Sequence, residues 1–147
     1  MVAKRKNRVR RVNLRTSRKG IRQVLGDLEA DIMELIWKDS PASVREIHEN
    51  LAQERTIAYT TVMTVMGRLA EKGMLSREQH GRAYLYVPTQ NREQFCSEAI
   101  STVMEGLLGG FGEPVLSHFV DTVDSEDSAK LDELIRLIEK KKEEARP

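Results

Sequence analysis

Ala58-Tyr59-Thr60-Thr61-Val62-Met63-Thr64-Val65-Met66-Gly67-Arg68-Leu69 has the pattern of an amphipathic helix. At about 100° per residue, Val62, Val65, Met66 and Leu69 share one face. Thr60, Thr61, Thr64, Gly67 and Arg68 fall on the other, with no acid before Glu71. One side asks to be buried. The other offers short hydroxyls, a position without a side chain and one guanidinium, in a chain that is 32% charged. DNA can approach such a face closely: hydroxyls bond phosphates or base edges, and arginine forks onto guanine. Taken alone, the pattern also fits a helix whose polar side faces water. Its neighbours favour the first reading.

Upstream, Ser43-Val44-Arg45-Glu46 has the form of a capping box, with Ser43 capping and Glu46 reaching back. Val44, Ile47 and Leu51 make the buried face of the helix it opens, and Glu54-Arg55-Thr56 the turn after it. Two helices joined by a short polar turn form a helix-turn-helix. Arg45, in the first turn, is either a phosphate contact or a solvated side chain. An earlier helix over residues 27–38 carries Leu28, Ile32, Leu35 and Ile36 as its stripe. It opens on Asp27, Glu29 and Asp31, where the helix dipole favours anions. Trp37, off that stripe, reads as packing. Downstream, the recognition helix stops at Gly73, a C′ glycine, and the period drops from 3.6 to 2. Residues 75–79 read as a strand, His80-Gly81 as a turn and residues 82–87 as a second strand closed by Pro88. A hairpin after a recognition helix is a wing. Arg77, His80 and Arg82 are expected at or near its tip, to meet phosphate or the minor groove. Tyr84 and Tyr86 share one strand face, as packing residues first and DNA contacts second.

Residues 91–108 place Phe95, Ala99, Val103 and Leu107 at i, i+4 and read as a fourth helix, broken by Gly109-Gly110-Phe111-Gly112. Pro114 suits the first turn of a fifth, with Leu116, Phe119, Val120 and Val123 apolar. Ser125 is the expected cap of a sixth, with Glu126 and Asp127 in its first turn. Leu131, Leu134, Ile135 and Ile138 form its stripe, and Lys140-Lys141-Lys142 complement its dipole. Three amphipathic helices in so short a stretch bury their stripes poorly alone. A second copy would cover them, so residues 91–147 read as a dimerisation domain. The alternative is that they fold back on the winged helix as a monomer.

Composition narrows the function by exclusion. The 147 residues suit one domain, or a small domain with an appendage. No run of about 18 apolar residues spans a membrane, and the basic N-terminus lacks the apolar core of a secretory signal. Cys96 is the single cysteine, which excludes an internal disulfide and a multi-cysteine metal site, and fits a reducing, cytoplasmic setting. It reads as a small hydrophobe. The net charge of +1 hides an asymmetry: residues 1–26 hold ten Lys/Arg and no acid, and the remainder holds fourteen against twenty-three acids. Residues 1–22 have no steady apolar period and read as disordered. They fit a DNA-following arm, a solubilising tail, or a start assigned too far upstream. The expected partition is therefore a disordered extension over 1–24, a winged helix over 25–90 and helices for dimerisation over 91–147. No phosphate-cradling glycine loop, metal-ligand pair or Ser/His/Asp set is visible, and His48, His80 and His118 are scattered. We expect no catalytic residue, no metal and no cofactor: not an enzyme.

Residues 25–142 resemble the BlaI/MecI family of bacterial winged-helix repressors, the penicillinase repressors. The resemblance is carried by Leu25-Gly26-Asp27-Leu28-Glu29, Ser43-Val44-Arg45-Glu46-Ile47 and Arg68-Leu69-Ala70-Glu71-Lys72-Gly73. Tyr84-Leu85-Tyr86, Gly109-Gly110-Phe111 and Leu116-Ser117-His118-Phe119-Val120 add to it. Its most specific segment is Ala58-Tyr59-Thr60-Thr61-Val62-Met63-Thr64. The resemblance implies a homodimer on a dyad operator, repressing genes for β-lactamase, an alternative penicillin-binding protein or other stress functions. It also implies release by a membrane sensor-protease that responds to β-lactam and leads to cleavage of the dimerisation domain. In the best-known members the cut falls at an Asn-Phe pair. The matching pair here is His118-Phe119, a departure at the first residue. The copper-responsive branch carries a cysteine-rich C-terminal motif, and this chain has only Cys96.

The expected mechanism sets two recognition helices about 34 Å apart, in successive turns of the major groove. Arg45, Thr60, Arg77 and Arg82 would position the dimer on phosphates, beside Tyr59 and His80. Thr61, Thr64 and Arg68 would read bases. The dimer would rest on Phe95, Val103, Leu107, Leu116, Phe119, Val120, Leu131, Leu134, Ile135 and Ile138. Two other readings compete: a winged-helix module that binds protein rather than DNA, and non-specific nucleic-acid binding through the basic tail.

Overall fold

The computed structural model describes residues 13–124 and 128–147. Their order is a 3-10 turn (Gly20–Gln23), α1 (Asp27–Lys38), α2 (Val44–Ala52), α3 (Tyr59–Glu71), β1 (Leu75–His80), β2 (Ala83–Pro88), α4 (Arg92–Phe111), α5 (Pro114–Asp124) and α6 (Ser128–Glu144). The fold is mostly helical with one antiparallel hairpin, a winged helix followed by three further helices. By internal contacts the chain divides into Met1–Thr102 and Val103–Pro147, so the division falls inside α4.

The first unit closes its own core. Ile32, Met33 and Ile36 of α1 and Val62, Met66 and Leu69 of α3 are fully buried, and Ile47, Leu51, Leu75 and Tyr86 complete the cluster. Each such side chain contributes about 1.5–3 kcal/mol. Val65, Leu28 and Leu35 pack against the cluster from its edge. Local signals fix the helix ends. In α2 the Glu46 N–H donates to Ser43 Oγ at 3.1 Å, which is half of the expected box. The reciprocal half appears in α1, where Gly26 N–H donates to Glu29 Oε1 at 3.0 Å. Both halves occur in α4: Gln94 N–H donates to Asn91 Oδ1 at 2.8 Å, and Asn91 N–H to Gln94 Oε1 at 2.9 Å. Gly73, at φ +78°, ends α3. Its N–H reaches Ala70 O, and Met74 N–H reaches Leu69 O, the paired bonds of a Schellman motif.

The wing pairs Leu75 with Pro88 through to His80 with Ala83. The turn is therefore Gly81-Arg82 rather than His80-Gly81. Gly81 has φ +64°, and no described residue other than glycine has positive φ. That combination suits a two-residue II′ turn, which puts glycine first. Two ties fix the base of the wing. Ala42 and Tyr86 exchange backbone bonds at 3.0 and 2.8 Å, and Thr89 Oγ1 donates to Gly73 O at 2.7 Å. Trp37 packs as expected: its Nε1 donates to Gln90 O at 2.9 Å, and its ring lies 5.5 Å from that of Phe95. Cys96 also packs on this core.

Residues 13–24 correct the expectation of a disordered extension. Ile21 and Leu25 are buried in the core. Arg15 N–H donates to Gln23 O, Arg18 pairs with Asp27, and Arg22 pairs with Asp27 and Asp31. Two apolar anchors and the acids of α1 hold this segment, which a search for steady periodicity passes over. Residues 1–12 lie outside the described residues.

In the second unit α5 packs with α6. No residue of α4 or α6 is fully buried. The expected break over Gly109-Gly110-Phe111-Gly112 narrows to its last residue: α4 continues through Gly109 and Gly110 to Phe111 and ends at Gly112, φ +71°, whose N–H donates to Leu108 O at 3.0 Å. Glycine weakens a helix without forbidding it, whereas the left-handed cap requires it. The expected Ser125 cap, with Glu126 and Asp127, lies outside the described residues. No described helix is long and apolar enough to cross a membrane.

Candidate nucleic-acid interface

The burial of Val62, Met66 and Leu69 turns the opposite face of α3 outward. Tyr59, Thr60, Thr61, Thr64 and Arg68 are all exposed, and Gly67 is partly so. Thr64 Oγ1 donates to Thr60 O at 2.8 Å, so its hydroxyl proton is engaged in the helix. That leaves Thr64 a hydrogen-bond acceptor, suited to the amino group of adenine or cytosine and unsuited to phosphate. Among the described residues Arg68 has no ion-pair partner.

The start of α3 is held from α2. His48 Nε2 lies 2.8 Å from Ile57 O, and its ring meets Tyr59 edge-on at 5.7 Å between centroids. His48, read from sequence as an ordinary histidine, thus positions Tyr59. The signal was its place in the second turn of α2, facing the helix-turn-helix turn. Arg45 is highly exposed and donates to Glu49 Oε1 at 3.0 Å. Its guanidinium therefore meets phosphate only in competition with an adjacent carboxylate.

The wing spreads its candidates over two faces. Arg77 opposes Tyr86 in register and lies 4.6 Å over the Tyr84 ring, a cation–π contact four residues before Gly81 of the turn. Tyr86 is buried packing, whereas Tyr84 is exposed, a platform for Arg77. His80 is on the other face, 3.5 Å from Glu78. Arg82 is in the turn itself and has no ion-pair partner among the described residues. The tip thus presents Arg82, with Arg77 on the flank and His80 beside an acid.

The acids of α1 are paired with basic side chains. Asp31 receives Arg22 and Arg55, and Glu29 receives Lys72. Burial pushes the Asp31 carboxyl up, but the hydrogen bonds from Arg55 and Arg22 outweigh it and hold it below the ordinary range. The same balance, with Lys72 and the Gly26 N–H as donors, holds Glu29 low. The hydrogen bond from Arg22 holds Asp27 low. Arginines of the N-terminal segment therefore offset the acids of α1.

A model of the penicillinase repressor family matches residues 25–138. This chain belongs to the penicillinase-repressor family. Among relatives, the transcriptional regulator BlaI of Mycobacterium tuberculosis is 35% identical over 109 residues, 73% of this chain and 79% of that protein. The penicillinase repressor of Bacillus licheniformis is 24% identical over 118 residues, 80% of this chain and 91% of that one. A solution structure of the DNA binding domain of the repressor BlaI covers 51% of this chain and 90% of its own, at 32% identity and a TM-score of 0.44. The penicillinase-repressor match begins at Leu25, so Arg18 and the Gly20–Gln23 turn with Arg22 lie outside it. It includes α5, where the His118–Phe119 bond sits in mid-helix. His118 O there accepts from Thr122 Oγ1 at 2.7 Å.

Proposed function

We propose that this member of the penicillinase-repressor family is a DNA-binding transcriptional repressor that acts as a homodimer on a dyad operator, within a β-lactam or cell-envelope stress response. The observation that carries the reading is the outer face of α3, acid-free up to Glu71 and bearing beside exposed threonines an Arg68 with no ion-pair partner among the described residues. Arg68, Thr61 and Thr64 read bases. Tyr59, Thr60, Arg77 and Arg82 position the protein on phosphates, with Arg45 and His80 as secondary contacts that must leave Glu49 and Glu78.

The homodimer reading is supported by apolar side chains the second unit leaves in solvent. Phe111, Leu116, Phe119, Val120, Ile135, Leu137 and Ile138 are all exposed. Val103, Leu131 and Leu134 are only partly covered, and Leu107 lies at the edge of exposure. Phe95 packs on the winged-helix core, so its part in the dimer is as an anchor for α4. Breaking the second unit turns one bivalent event into two weak ones and releases DNA. A membrane sensor-protease cutting at His118-Phe119 would do this only after α5 opens locally, because proteases take extended chain and this bond is helical.

The test is a footprint of the full-length protein on its own upstream region, with competitor DNA and a salt series, beside sedimentation equilibrium. A protected dyad that survives competitor, from a protein that sediments as a dimer, is the expected result. Smeared protection that fades steeply with salt would reject it.

A further inference from the structure

The outer face of α3 has two unlike flanks. On one side of the Thr60–Thr64 ridge stand Thr61 and Arg68; on the other stand Tyr59, Met63 and Gly67. The polar flank has chemistry already assigned to it, and Met63 has none. It is 45% exposed, one turn after a Tyr59 exposed to the same degree. It is not among the partly covered side chains that pack on the core. Beside it, Gly67 occupies the interior of the helix, where glycine is the poorest residue after proline. A Cβ built at Gly67 meets no atom within 4 Å, and Gly67 is not among the glycines with positive φ. Nothing among the described residues asks for glycine there. A partner that approaches the helix more closely than a methyl allows would ask for it.

We propose that Met63, with the notch at Gly67, reads a thymine C5-methyl group in the major groove and so fixes one A·T pair in each half-site. This rests on α3 being the recognition helix. Of the groups that base pairs present in the major groove, the thymine methyl is the apolar one; the others are hydrogen-bond donors and acceptors. A thioether offers those almost nothing. It is instead an unbranched, polarizable side chain that adapts its shape to a methyl. The flanks then divide the reading: Arg68 takes a guanine edge, and Met63 a thymine on the other side of the helix.

The full-length protein is used to select duplexes from a random library, and each thymine of the selected site is replaced in turn by deoxyuridine, which lacks only the methyl. With the native chain, one thymine per half-site is expected to lose about three- to fivefold in affinity, the scale of returning one methyl to water. With Met63→Ala, thymine and uridine at that position bind alike, and Met63→Leu restores the preference. Gly67→Ala is expected to stabilise the helix and yet weaken binding about tenfold, the scale of overpacking a close contact. Tolerance of uridine at every thymine, or a penalty unchanged by Met63→Ala, overturns the methyl assignment and leaves α3 as the recognition helix. Failure to select any site overturns the proposed function, and this assignment with it.

Discussion

α3 and α6 carry apolar side chains at the same helical spacing, with opposite outcomes. Val62, Met66 and Leu69 of α3 are 0% exposed, whereas Ile135 and Ile138 of α6 are 53% and 48% exposed. The winged-helix unit closes because α1, α2 and the base of the wing reach α3 from several sides. The second unit has α5 against α6 and leaves the far side of each stripe in water. Amphipathicity states which face needs cover. It does not state whether the cover comes from the same chain.

The largest effect that would break this comparison is on DNA. Deleting residues 125–147 is expected to give monomers whose operator affinity falls by about 10²–10⁴-fold, because the second half-site no longer binds as an intramolecular event. Sedimentation and gel-shift titration read the two parts separately. A truncated protein that stays dimeric would take α6 out of the interface.

The next tests the two cores against each other. Ile36→Ala, at a site with 0% exposure, is expected to cost about 2–5 kcal/mol in urea unfolding, by the same amount at any protein concentration. Ile138→Ala is expected to cost less in dilute protein and more in concentrated protein, since its partner is a second copy. A concentration-independent loss at both sites would mean that α6 folds back on its own chain. A smaller effect belongs to the DNA face: Arg68→Ala is expected to cost about 1–3 kcal/mol on the operator and to relax discrimination at one base pair. An equal loss on random DNA would demote Arg68 to a phosphate contact.

The winged helix was legible in the sequence because its signals are local and its cover is its own. The buried faces of α2 and α3, the Ser43 cap and the Gly73 stop all fall where spacing puts them. What spacing missed was set by tertiary partners. Ile21 has only Val24 and Leu25 as apolar neighbours one turn on, too short a run to make a stripe, so its burial in the core was not readable from spacing. Gly109-Gly110-Phe111-Gly112 read as one break because glycine composition does not say which residue takes positive φ; of these four it is Gly112. In the site, α3 was legible by face. Its flanking contacts were not, because the Arg45–Glu49 and Arg77–Tyr84 pairs depend on rotamers. Met63 was assigned to neither face, because the sorting of α3 into an apolar and a polar side has no place for an apolar residue that points outward.

The smallest effect separates the units by their ion pairs. Asp31 of the winged helix is 20% exposed and receives both Arg22 and Arg55. Burial raises its pKa and the two arginines lower it further, leaving the folded value below that of the unfolded chain, where aspartate titrates near about 3.9. The folded state thus binds this proton less readily. The stability it contributes is fully present above about pH 4 and is lost as pH falls through the folded value. Asp31→Asn is therefore expected to cost about 1 kcal/mol at neutral pH, with the gap to the native chain closing below pH about 4. Glu133 in α6 is also held low, by the hydrogen bond from Arg136, but both partners are exposed. Water screens that pair, and Glu133→Gln is expected to move unfolding by nothing measurable at any pH. A gap at Asp31 that stays constant from neutral to acid pH would show that its shape, not its charge, holds the N-terminal segment against α1.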